Sequence, residues 1–319
     1  MISPALGPAD RLGAWKARWG IGRMSYLVPP GLYAVGAPTP RDPVLVTANY
    51  KMSYDLVRSA LAGRNAWLLV LETNGINVWC AAGKGTFGSE ELVARVRASR
   101  LGDVVAHRQL ILPLLGAPGV SALEVRARTG FSVRFAAIQA ADIPGYLDGE
   151  MQSTPEMREL TFTLRERLVL IPVELVIALK GSAWIVPLLA LAAGWRDGHF
   201  TPSAAIPVVL AYLGAVAAGT IVAPLALPWL PTRSFAVKGA IVGVLWSLLF
   251  LAVTGWRGLA AAATVLLAGS VSSFLALNFT GSTPYTSRSG VKREMRLSMP
   301  VLACSLVAGI GCWVVAALR

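Results

Sequence analysis

The residues best suited to chemistry lie in Leu71–Ser89, LETNGINVWCAAGKGTFGS. An apolar segment ends at Glu72-Thr73, a turn is expected at Asn74-Gly75, and Asn77-Val78-Trp79-Cys80-Ala81-Ala82-Gly83-Lys84 follows. Asn77 is a good helix N-cap, and Gly83 and Gly85 are placed to stop a helix soon after it. The spacing therefore predicts one or two helical turns with Cys80 in the first. A thiol there sits beside free amide donors and the positive end of the helix dipole, which favours the thiolate. Ala81 and Ala82 are expected to leave one approach to the sulfur open. Such a thiolate is a candidate nucleophile, redox centre or soft metal ligand; the plainer alternative is a small buried cysteine at a turn.

Two nucleotide-binding patterns overlap this stretch and fail. Gly83–Gly88 fits G-x-G-x-x-G, but that motif should directly follow a strand, and a helix intervenes here. The P-loop pattern fails because Val78 takes its first glycine position and Gly85 follows Lys84.

The elements that must position Cys80 are legible as alternating short apolar runs and helical patterns. Strands are expected at Gly31–Val35, Pro43–Thr47, Ala66–Glu72, Gln109–Leu112 and Ser132–Ala136. Helices are expected at Tyr50–Ala62, Glu90–Arg100, Ser121–Arg128 and Ala140–Asp148, with Ser89 capping Glu90–Arg100. Residues 1–30 show little periodicity and read as a lead-in arm. The alternation implies an α/β fold with a Rossmann-like, mostly parallel sheet. Ligands of such sheets bind beyond the carboxyl ends of the strands. That points to Ala48-Asn49, Thr73–Lys84 and Pro113–Pro118, with Thr47, Asn49 and Thr73 as candidate hydrogen-bonding groups.

Charge divides the 319-residue chain. Residues 1–167 hold 19 Lys/Arg and 14 Asp/Glu, whereas residues 168–319 hold only 10 and 3. A soluble domain over residues 1–160 and an all-α transmembrane domain over 161–319 follow. Spans are expected at about 168–194, 203–225, 235–254, 259–279 and 299–318, each near the length that crosses a bilayer. Arg233, Lys238, Arg288, Lys292, Arg293 and Arg296 fall in or near loops on one side; Arg196, Arg257 and Arg319 fall on the other. This bias predicts a cytoplasmic N-terminal domain and an outside C-terminus. It also explains the net charge of +12 as orientation and argues against nucleic acid binding. No apolar run of signal-peptide length opens the chain. Glu174 and Lys180 fall in the first span on different faces, and residues 163–180 are expected to lie partly in the interface. Three cysteines make no disulfide framework. Cys304 and Cys312, eight residues apart, point about 80° from each other and read as packing residues.

The stretch NVWCAAGK (77–84) resembles the signature of the HgcA family, the membrane-anchored corrinoid protein of the bacterial mercury-methylation pair. The likeness extends over GLYAVG (31–36), PVLVTANYKMSYD (43–55), residues 65–93, LGAPGV (115–120) and LNFTGSTPYTSRSGVKREM (277–295). The soluble part is also similar to the corrinoid domain of the corrinoid iron–sulfur protein large subunit, without its four-cysteine motif. The stretch ILPLLGAPG (111–119) departs from the family, which is expected to carry a Gln near Leu114. The resemblance implies a cobalamin-type corrinoid held base-off, with Cys80 as lower axial cobalt ligand and Asn77–Lys84, Thr47, Asn49 and Thr73 around it. It implies methyl transfer from methyl-cobalt to inorganic Hg(II), giving methylmercury, in an anaerobe's inner membrane. The implied partners are a ferredoxin-like reductant with two 4Fe–4S clusters and a methyltetrahydrofolate-type donor acting through a methyltransferase. A methyl carrier with a non-mercury acceptor, and a transporter with a nucleotide-binding cytosolic domain, remain alternatives. No D-x-H-x-x-G cobalamin motif is present, and His107 and His199 stand in no such context.

Overall fold

The computed structural model describes residues 1–196 and 198–318, apart from the side chains of Arg196 and Arg288. Arg319 and the Arg196 and Arg288 side chains, three members of the charge-bias argument, thus lie outside the described residues. The chain divides into two compact units, with the boundary between Leu160 and Thr161.

The first unit runs α1 (Pro8–Arg18), β1 (Gly31–Val35), β2 (Val44–Ala48), α2 (Lys51–Ala60), β3 (Ala66–Leu71), α3 (Val78–Lys84), α4 (Ser89–Ala98), α5 (Leu101–Val104), β4 (Gln109–Leu112), α6 (Ala122–Thr129), β5 (Ser132–Phe135) and α7 (Ile143–Asp148). The sheet order is β1-β3-β2-β4-β5; β1 is antiparallel to β3 and the other pairs are parallel. Every residue of β2 is buried, as expected for a central parallel strand covered on both faces. One face packs Val46, Leu69, Leu71, Leu110 and Leu112 with Ala81, Leu92 and Val125. The other packs Leu45, Leu68, Val70 and Ile111 against Tyr54, Val57 and Tyr146. Even and odd residues of β3 go to opposite cores, the two-residue period of a strand.

The arm differs from its expectation, because it contains α1. Pro8 starts this helix, and the Asp10 carboxylate accepts from the Gly7 amide at 3.0 Å. Asp10 also bridges Lys51 at 2.6 Å and Arg58 at 2.7 Å, and Asp55 joins both cations. A charge network formed with α2, which sequence periodicity does not register, fixes the arm. The start of α4 also differs: Gly88 is the N-cap and Ser89 the first helical residue. The Ser89 hydroxyl instead accepts from the Ser121 amide at 2.8 Å, tying α4 to the loop before α6.

The second unit holds α8 (Leu164–Gly194), a two-residue hairpin of β6 (Trp195–Arg196) and β7 (His199–Phe200), α9 (Pro202–Ala217), α10 (Ala223–Ala226), α11 (Phe235–Thr254), α12 (Gly258–Asn278) and α13 (Arg288–Ala317). A π-helical turn, Ala218–Val222, joins α9 to α10. Among the described residues, five helical stretches are long and apolar enough to cross a membrane. Small residues let α11 and α12 approach closely. A Cβ at Gly239 or Gly243 would lie 2.6 Å from the Ser272 or Ala268 carbonyl. Ser272 and Ser273 donate across this contact to the Gly239 and Ala236 carbonyls, each at 2.7 Å. Backbone proximity and interhelical hydrogen bonds replace the hydrophobic effect where lipid is the solvent. Within α8, the Glu174 carboxylate accepts from the Ser282 hydroxyl at 2.8 Å, while Lys180 is exposed.

Candidate functional site

The strand order creates a crevice that no single segment announces. From β2 the chain crosses to β3 through α2 on one face of the sheet. From β4 it crosses to β5 through α6 on the other face. The carboxyl ends of the neighbours β2 and β4 therefore form a topological switch point, the usual ligand crevice of such sheets. A cavity of about 230 Å³ lies there. Leu45 and Val46 of β2, Ile111, Leu112 and Pro113 at the end of β4, and Ala136–Ala140 after β5 line it. Ser53, Leu56 and Val57 of α2 close one side, and Asn77, Val78 and Trp79 form another wall. The start of α3 is thus part of the crevice, while Cys80 and Ala81–Lys84 are not among its lining residues.

Helix α3 is built as the local signals require. The Asn77 side chain accepts from the Cys80 amide at 2.9 Å, and Gly85 ends the helix in the left-handed conformation at φ +85°. Gly83 lies within the last turn. Val78, Ala81 and Ala82 are buried, so their face is anchored. Cys80, Gly83 and Lys84, at i, i+3 and i+4, share another face. Gly83 and Lys84 are exposed and Cys80 is half-buried. A Cβ at Gly83 would meet nothing within 4 Å. The open approach to the sulfur therefore comes from Gly83. Ala81 and Ala82, expected to provide it, face the core instead.

The loop LGAPGV packs on the anchored side of α3. A Cβ at Gly119 would run into the Phe87 carbonyl and come within 3.0 Å of Ala82 Cα. One at Gly116 would strike the Phe87 ring. The Ser89 amide donates to the Gly119 carbonyl at 3.2 Å. Residues 77–89 and 115–121 thus form one packed structure, with Leu114 donating from its amide to the Ala137 carbonyl at 3.0 Å.

The remaining candidates separate into two kinds. Asn49 is buried, and its Oδ1 accepts from the amides of Thr73 and Gly75, both at 3.1 Å. Its Nδ2 donates to Glu72 at 2.7 Å. Thr73 Oγ1 lies 2.9 Å from Asn49 Oδ1 and 2.8 Å from the Ile76 carbonyl. These two side chains hold the turn that delivers Asn77, where Asn74 has φ +54°. Thr47 is fully buried near the end of β2, and its Oγ1 has no hydrogen-bond partner. An orphaned buried hydroxyl is costly, and Thr47 is not among the residues that line the crevice. In the core beneath α2, burial pushes the Tyr54 phenol up to about 12, so it stays neutral in ordinary buffers.

His107 lies just before β4, at the opposite end of the sheet, with Nε2 2.9 Å from the Asp42 carbonyl oxygen. Among the described residues, no group of three or more His, Cys, Asp or Glu side chains could hold a metal ion. Cys304 is exposed and Cys312 half-buried along α13. Sequence reasoning missed the walls from Ser53, Leu56, Ile143 and Ala136–Ala140. Their only local signal was a place just after a strand's carboxyl end.

Residues 23–146 match the family model described as CO dehydrogenase/acetyl-CoA synthase delta subunit. Similar curated proteins include gamma subunits of the acetyl-CoA decarbonylase/synthase complex. The Archaeoglobus fulgidus protein is 34% identical over 123 residues, 38% of this chain and 26% of the relative. The Methanopyrus kandleri protein is 33% identical over 125 residues, 39% and 27% of the two chains. The protein of Methanocaldococcus jannaschii is 33% identical over 97 residues, 30% and 20%. The chain spans about a quarter of the length of the relatives it matches.

Proposed function

We propose that this chain is a membrane-anchored corrinoid protein that passes a methyl group to inorganic Hg(II), producing methylmercury. The observation that carries the reading is the placement of Cys80 on the open face of an anchored helix. That helix begins in the wall of the switch-point crevice. The chain's match to subunits of acetyl-CoA decarbonylase/synthase complexes, and its likeness to the HgcA signature at 77–84, support the same reading.

The residues present fit a corrinoid. The crevice at the switch point, walled by Ser53, Asn77, Trp79 and Gln139 among apolar residues, would hold part of such a cofactor. The open face of α3 at Cys80 and Gly83 would leave room for a broad cofactor beside the sulfur. When bound, the corrinoid supplies a cobalt centre that carries the methyl group. Cys80 would hold the metal through its thiolate, an electron-rich soft ligand through which a protein tunes a cofactor metal. Asn77 fixes the start of α3, and Asn49 and Thr73 fix the turn before it. Trp79 packs in the crevice wall. A thiolate at Cys80 would favour transfer of the methyl group with its bonding electron pair, the form that the electrophile Hg(II) accepts. Two electrons go with the methyl group, so a reductant has to return two. We assign that role to a ferredoxin-like protein with two 4Fe–4S clusters. The methyl group would come, as a cation equivalent, from a methyltetrahydrofolate-type donor through a methyltransferase. The five apolar helices anchor the chain in the inner membrane, with the first unit cytoplasmic and the C-terminus outside.

A second reading, a one-carbon carrier with a different acceptor, is favoured by the names of the relatives. The test is the full chain produced anaerobically with its reductant. The purified protein is expected to show corrin absorption bands, and Hg(II)-fed cells are expected to yield methylmercury. Cys80→Ala should abolish the yield. Absence of corrin bands in the unaltered chain would overturn the corrinoid reading. An unchanged yield in Cys80→Ala, or full activity in Cys80→His, would overturn the thiolate-ligand mechanism. Corrin bands without methylmercury would select the second reading.

A further inference from the structure

The second unit contains a cleft that the proposed chemistry does not use. Helices α11 and α13 both pack on α12, and between their first turns lies a cleft of about 660 Å³. Its mouth is lined by Arg233 and Arg293, both exposed. Among the described residues, neither arginine has a carboxylate within 4.0 Å. Below them the lining turns apolar through Val237, Ala240, Leu297 and Val301. Leu297 and Val301 are 64% and 66% exposed along a helix that is apolar enough to span a bilayer. From Arg293 to Val301, a helix rises about 12 Å, enough to follow the upper part of an acyl chain.

The one carboxylate in the lining does not cancel the arginines. Glu294 is turned onto the start of α11, where it accepts from the Ser234 hydroxyl at 2.8 Å and the Ala236 amide at 2.9 Å. It meets the positive end of that helix's dipole and ties α13 to α11 at the mouth. Lys238 is also turned away, donating to the Leu227 carbonyl at 2.6 Å. The cleft thus keeps two exposed arginines in its lining, and the planar guanidinium fork matches phosphate oxygens.

We propose that this cleft binds one anionic phospholipid, its phosphate held by Arg233 and Arg293 and one acyl chain lying along Val237, Leu297 and Val301. Two guanidinium groups over an apolar trough match an anionic headgroup above a hydrocarbon chain, and basic pockets between membrane helices take such headgroups. The bound lipid would fill the wedge between α11 and α13 and hold their relative placement.

The test uses the full chain, extracted in mild detergent from membranes and exchanged into nanodiscs of equal parts phosphatidylglycerol and phosphatidylcholine. Lipid retained after delipidation is then counted by native mass spectrometry. Each basic residue near a headgroup is worth roughly a factor of five, so a preference for phosphatidylglycerol on the order of 25-fold is expected. The double variant R233Q/R293Q should lose that preference. Val301→Trp, which fills the trough and leaves both charges, should lose the retained lipid while keeping the same circular dichroism spectrum. Equal retention of the two lipids, or an unaltered preference in R233Q/R293Q, would overturn the proposal. So would full displacement of the lipid by millimolar inorganic phosphate, which would mark a phosphate site only.

Discussion

Gly83→Ala separates two properties that a single substitution usually changes together. Gly83 lies within α3, and a Cβ there would meet no atom within 4 Å. Alanine is a better helix residue than glycine by about 0.5–1 kcal/mol, and no clash offsets the gain. The unliganded protein should thus unfold at the same temperature or up to about 4 °C higher. The new methyl, however, stands one turn from Cys80 on the face assigned to the corrin. Wedging a methyl into a fitted contact costs about 1–3 kcal/mol, which weakens retention by roughly 5- to 150-fold. Thermal unfolding of the full chain in detergent reads the first effect. Corrin absorbance remaining after anaerobic gel filtration reads the second. Wild-type retention in Gly83→Ala would refute the assignment of that face to the cofactor. A lowered unfolding temperature would show that the residue is not in open space.

Gly119→Ala should behave in the opposite way. Its Cβ meets the Phe87 carbonyl and Ala82 Cα, both backbone atoms that no rotamer change can move. We expect a loss of about 2–3 kcal/mol, read as a fall in unfolding temperature, with cofactor retention falling alongside. Acid should release the N-terminal arm. The Lys51 ammonium, aided by Arg58 and the Gly7 amide, holds the Asp10 carboxyl well below its ordinary value of 3.8, against the opposing effect of burial. A depressed carboxyl contributes stability above its unfolded value and loses it as pH falls toward the folded one. Unfolding temperature should therefore drop between about pH 5 and pH 2. Asp10→Asn should be less stable at neutral pH and show a flatter profile there. In the membrane unit, Gly243→Leu places a side chain against the Ala268 carbonyl and Ser272. It should separate α11 from α12, read as loss of a monodisperse detergent-extracted species, whereas Gly311→Ala, in open space on α13, should leave the species intact.

The sequence by itself determined the features that depend on neighbouring residues. Unbroken apolar runs predict the strands at Gly31–Val35 and Gln109–Leu112 with the ends the structure has. The 235–254 span is likewise α11. Asn77 before Cys80 and Gly85 after it define α3 because capping is settled within four residues. Tertiary structure decided what those pieces make together. The crevice exists because β2 lies between β3 and β4, an order fixed by which apolar faces find cover. Asn49 is committed to the turn at Thr73–Gly75 because parallel pairing of β2 with β3 brings residues 24–26 apart within hydrogen-bond reach. Ser89 bonds to residue 121, Asp10 bridges residues 51 and 58, and Glu294 caps a helix that begins near residue 235. In each case a polar group near the core takes the partner that burial brings to it. Chain-local preference can place such a residue in an element but cannot select that partner.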